Sequence, residues 1–75
     1  MKELIEYMAR ALVEDPAAVS VEEHRLGDRV VLRLHVAPDD MGRVIGRQGR
    51  IAQAMRTLLR VAATHQHVHA TLEIG

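Results

Sequence analysis

The sequence predicts one small α+β domain, residues 1–75, with a three-stranded mixed sheet covered by helices on one face. Three observations carry that expectation. Apolar residues recur at helical spacing in three segments. Two alternating runs flank Gly27-Asp28, and a third alternating run closes the chain. The segments follow one another as α-β-β-α-α-β, with no linker, repeat or low-complexity stretch between them.

Leu4, Ile5, Met8, Ala9 and Leu12 place an amphipathic helix over roughly residues 2–14, stopped by Asp15-Pro16. Glu3 and Glu6 lie near its positive end, where the helix dipole favours acids. Gly27-Asp28 reads as a two-residue hairpin turn between Val19–Leu26 and Arg29–Val36. Leu26 then faces Arg29. Val19, Val21 and Glu23 share a face with Val36, Leu34 and Leu32, and the polar face sets Glu22 across from Arg33 as an opposite-charge pair. Pro38-Asp39-Asp40 starts a short helix, with both acids read as partners of its dipole, and Met41, Val44 and Ile45 as its apolar stripe. A longer helix covers roughly Arg50 to Thr64, its apolar arc centred on Ile51, Met55, Leu59 and Ala62. His67–Ile74 alternates strictly as the third strand.

Composition bounds the function. With 75 residues the core alone supplies only about 3–5 kcal/mol. There is no cysteine, which excludes disulfides and thiolate metal sites. Tyr7 is the one aromatic residue, so aromatic base-stacking platforms are excluded. No apolar run approaches the ~18 residues of a membrane span. The opening Met-Lys-Glu-Leu-Ile-Glu does not read as a secretory signal, and the expectation is a cytoplasmic protein.

The net charge of zero hides a split. Residues 1–42 carry five basic and nine acidic side chains; residues 43–75 carry five basic and one acidic. Arg43, Arg47, Arg50, Arg56 and Arg60 have no carboxylate among them in sequence, which points to an anionic partner for one face. The informative stretch is Gly42-Arg43-Val44-Ile45-Gly46-Arg47-Gln48-Gly49-Arg50. Gly46 ends one helix in a conformation that glycine adopts cheaply, and Gly49 opens the next, its missing side chain allowing another backbone close. The second helix offers free amides at its N-terminus, and the arginines add charged donors, a combination suited to phosphate. The Gly-Lys-Ser/Thr of a P-loop is absent, and the glycine spacing is not that of a dinucleotide fold. A Gly-x-x-Gly clamp on a nucleic-acid backbone fits.

Val44-Ile45-Gly46-Arg47-Gln48-Gly49-Arg50, followed by a helix with Met55, resembles the signature of a KH domain, and the element order resembles its type II arrangement. Ala37-Pro38-Asp39-Asp40-Met41-Gly42-Arg43-Val44-Ile45-Gly46 and Arg56-Thr57-Leu58-Leu59 are similar to the small single-KH bacterial proteins of the KhpA (YlqC) family. The resemblance covers the whole chain. It implies a central second strand, parallel to the third. It implies an RNA-binding protein with Gly46, Arg47, Gln48 and Gly49 on the RNA backbone; a single clamp without an aromatic platform adds the expectation of non-catalytic binding to single-stranded RNA with low sequence preference. Ile45 would then line a groove for about four nucleotides, with Arg43 and Arg50 beside it. It also implies a homodimer, or a heterodimer with a KhpB (Jag)-like KH protein. Many KH domains carry Thr-Ile where this chain has Ile51-Ala52, which puts base preference outside what the resemblance transfers.

Ala54, Leu58 and Val61 extend the long helix's apolar arc to one side, with Arg60 at its border, and this flank reads as a dimer or partner surface. His67 and His69 would share a strand face, with His35 near them if the second and third strands are neighbours. No ligand spacing is enforced, so an exposed titratable face, His24 included, outweighs a zinc or nickel site. Ser20 is the only serine, and no nucleophile–base–orienter set is found, so no enzyme is expected.

Overall fold

The computed structural model describes residues 1–75. The first helix, α1, spans Lys2–Leu12 and buries Ile5 and Ala9. It stops two residues earlier than its periodicity allows. The amides of Glu14 and Asp15 donate to the Asp40 carboxylate at 3.1 Å each, instead of to carbonyls one turn back. Pro16–Ala18 then makes a single 3₁₀ turn.

Strands β1 (Ser20–Leu26) and β2 (Arg29–His35) form the expected antiparallel hairpin, with Leu26 opposite Arg29 and Ser20 opposite His35. The third strand, β3 (His69–Ile74), adds in parallel to the other side of β2, so β2 is central. Parallel pairing requires a crossover. Here it comprises a Pro38–Asp40 3₁₀ turn, the short helix α2 (Met41–Ile45), a corner, and the long helix α3 (Arg50–His65). All three helices pack on the sheet face made by Val21, Val30, Leu32, Leu34 and Leu72, and Ile5, Val44, Met55 and Leu59 meet that face with no more than 2% of their surface exposed.

The open face is laid out in cross-strand rows. Leu26, Arg29 and His69 form one row, and Glu22, Arg33 and Glu73 another. Glu22 does stand opposite Arg33, but Arg33 gives its hydrogen bonds to Glu73, at 2.8 and 3.2 Å. That contact raises the guanidinium's affinity for its proton. Glu22 instead meets His35 at 2.8 Å and His24 at 3.3 Å, and their hydrogen bonds hold its carboxyl below the usual glutamate range.

The histidine expectation is corrected. His67 lies outside the strand, in a left-handed turn (φ 58°) that closes α3. Its amide donates to Thr64 O and that of Val68 to Ala63 O, a Schellman closure with histidine where glycine is usual. His67 and His69 therefore share no strand face. His69 pairs with Arg29 at one end of the sheet, while His35 sits at the other end, its Nδ1 2.9 Å from Gly75 O.

Along α3 the buried stripe is Ala52, Met55, Leu59 and Ala63, while Ile51 and Ala62 are only half-buried. The core face is thus rotated from the expected arc. Two alanines let the helix lie close to the sheet, and the larger Ile51 is left at the border.

Candidate nucleic-acid interface

Asp40 is not the dipole partner that its place before a helix suggests. Its carboxylate is 3% exposed and bonds the backbone of residues 14 and 15, with Arg43 Nε 3.3 Å away. It ties the start of α2 to the segment after α1. Asp39 stays exposed beside it.

Gly46 closes α2 at φ 77°, ψ 173°, a region essentially restricted to glycine. Its amide donates to Gly42 O at 2.9 Å. A single 3₁₀ turn, Arg47–Gly49, follows, closed by the Gly49 amide on Gly46 O at 3.2 Å. Gln48 (φ 58°) and Gly49 (φ 74°) are both left-handed, and α3 starts at once. The steric demand falls on Gly46, not on Gly49 as expected. A Cβ at Gly46 would collide with Ile51, whereas the space at Gly49 is open to solvent.

The corner brings Gly46, Arg47, Gln48, Gly49 and Arg50 together on the surface, with Ile45 exposed just before it. Arg47 makes no ion pair, and Arg50 donates only to Gln48 Oε1, at 3.3 Å. Arg43 departs from the expectation of an acid-free surroundings. It is paired with Glu14, 29 residues away along the chain, and with Asp40, three residues before it.

Beyond the corner, α3 divides into three sectors. One is the buried stripe. On one side of it Arg56 and Arg60 line a groove of about 170 Å³ with Leu59, Ala70, Thr71 and Leu72. Arg56 Nε donates to Leu72 O at 3.3 Å, on the outer edge of β3. Sequence reasoning left these two arginines out of the site and set Arg60 beside the apolar flank. At 100° per residue, position 60 falls about 160° from position 58, on the far side of the helix from the centre of that flank. The signal was available, as Arg56 and Arg60 are four apart and border the buried stripe. On the other side, Ala54 and Leu58 line an apolar groove of about 260 Å³ with Tyr7, Met8, Ala11, Leu12, Ile51 and Met55. Leu58 is 49% and Val61 54% exposed, so α1 does not cover them.

A KhpA/KhpB KH-domain model matches residues 2–74, which is every element described above. The chain belongs to the KhpA/KhpB KH-domain family. "RNA-binding protein KhpA" of Caldanaerobacter subterraneus subsp. tengcongensis is 49% identical over 74 residues, covering 99% of both chains. Proteins of the same name from Treponema pallidum and Chlamydia trachomatis are 47% and 38% identical, over 97% and 99% of this chain and 91% and 95% of theirs. Among solved structures, Era of Aquifex aeolicus bound to GDP·AlF4⁻ superposes with a TM-score of 0.58 at 16% identity, over 97% of this chain and 28% of that one. Era in complex with MgGDPNP and nucleotides 1506–1542 of 16S ribosomal RNA gives 0.53 at 17%, again over 97% of this chain and 28% of that one. Both likenesses concern the fold, and they agree with the KH order of helices and strands. No helix is long and apolar enough to cross a membrane.

Proposed function

We propose that this KH domain is a non-catalytic, cytoplasmic module that holds single-stranded RNA by its backbone. The observation that carries the reading is the Gly46–Gly49 corner, where a glycine-dependent turn sets Arg47 and Arg50 at the N-terminus of a 16-residue helix with no carboxylate on either. A phosphate there meets helix amides and guanidinium donors together. The groove of Arg56 and Arg60 continues the path along α3, so the strand runs from the corner towards the β3 edge. One clamp and no aromatic platform give modest affinity and little base preference. Relatives carrying the name RNA-binding protein KhpA at 38–49% identity support the reading. Ultraviolet crosslinking in cells, followed by mass spectrometry of RNA-bound peptides, tests it. Adducts should fall between Arg43 and Arg60. Adducts confined to the open sheet face would overturn it.

A second reading concerns the opposite flank of α3. We propose that Ala54, Leu58 and Val61 form the surface on which the domain pairs with a second copy or with a KhpB-like KH protein. Half-exposed Leu58 and Val61 beside an apolar groove favour it. The two flanks lie on opposite sides of one helix, so pairing and RNA binding do not compete.

A further inference from the structure

Of the five arginines after residue 42, Arg43 alone meets carboxylates. Its two partners differ in kind. Asp40 is nearly buried, and both its oxygens already accept backbone amides, so it is a fixed anchor for Nε. Glu14 is different. Its side chain is 74% exposed, it stands just past the end of α1, and its carboxylate bonds nothing but Arg43 Nη2. An exposed ion pair of this sort contributes only about 0–1 kcal/mol, so a competing anion can displace it. The Arg43 guanidinium is held back towards the start of α2 by these two carboxylates, but the Arg43 backbone stands only about one helical turn ahead of Gly46, a rise of about 4.5 Å, so the long side chain can swing to a phosphate seated at the corner.

We infer that Glu14 is an intramolecular competitor of the RNA phosphate for Arg43, and so sets the affinity of the domain. The inference rests on the RNA-binding reading above. In the free protein Glu14 holds Nη2. When RNA seats, the guanidinium leaves the carboxylates, Nη2 donates to a phosphate oxygen, and Glu14 turns to water. The carboxylate keeps the arginine ordered and lowers the net gain on binding, since one charge-assisted hydrogen bond is exchanged for another.

Filter binding of a short single-stranded oligouridylate across a salt series tests this, with the wild type, Glu14→Gln, Arg43→Gln and the double variant. Glutamine keeps the length of Glu14 and leaves its amide on Asp40, and circular dichroism checks each fold. Glu14→Gln should bind about two- to fivefold tighter, with the log–log salt slope steeper by about 0.7, because in the wild type the Glu14 carboxylate set free takes up a cation and cancels one released from the strand. The double variant should lose that gain, and Arg43→Gln alone should bind no tighter than the wild type. Unchanged affinity and slope in Glu14→Gln would overturn the inference while wild-type binding left the RNA reading standing. A gain that persists without Arg43 would also overturn it, as a general charge effect. No binding by the wild type would remove the reading and the inference together.

Discussion

A Cβ placed on Gly46 lies 2.3 Å from Ile51 Cγ1 and 2.9 Å from the Ile51 amide nitrogen. The first residue of the corner is thus closed against the first turn of the helix that follows. Gly46→Ala meets that clash and a φ of 77° together, and should destabilise the domain by roughly 2–4 kcal/mol. Gly49→Ala, with open space and a common left-handed geometry, should cost only about 1–2 kcal/mol. Urea titrations of both variants check the order, and equal losses would contradict it.

Arg47→Asp with Gln48→Asp should abolish RNA binding and leave the circular dichroism spectrum unchanged. Both side chains are exposed, touch no core residue, and would face phosphates as carboxylates. The wild type should show a log–log salt slope of about −2 to −4, at roughly −0.7 per phosphate contact. A slope near zero would mean that the arginines do not meet phosphate.

Leu58→Asp and Val61→Asp should stay folded, because about half of each side chain already faces solvent. Light scattering should show association at tens of micromolar for the wild type and its loss in both variants. A wild type that stays monomeric and recovers no KH partner would refute the partner surface.

Glu22 gives the domain a pH dependence of defined sign. Its carboxyl is depressed in the fold, first by the hydrogen bond from His35 and then by that from His24. A depressed carboxyl stabilises the fold above its unfolded value, near 4.5, and that contribution is lost as pH falls through the folded value. Glu22→Gln should therefore lower stability slightly at neutral pH, flatten the acid limb below about pH 4.5, and converge on the wild type in acid, as read by thermal melts across pH.

What the sequence makes legible here is what neighbours decide. The Gly27-Asp28 turn sets the hairpin register, and alternation sets which face is buried, so every β1–β2 pair is readable in advance. Gly46 and Gly49 bracket the corner in the same local way. The rest depends on residues remote along the chain. Asp40 finds its amides 25 and 26 residues away, and Arg43 finds Glu14 29 residues away, which no local pattern announces. The order of pairing along β2 and β3 sends His35 and His69 to opposite ends, a matter of register between strands separated by two helices. The basic flank of α3 was readable on a helical wheel, but only β3 turns Arg56 and Arg60 into the wall of a groove.

The Gly46–Gly49 corner lies wholly within residues 36–68, the stretch between β2 and β3, and that stretch is held as a loop only when β3 zips alongside β2. Until then the corner has a helix on either side but no sheet to fix them, and Arg56 has no Leu72 carbonyl to grip. A chain cut short before His69 would therefore retain every residue of the corner and lose the strand that fixes the two helices around it.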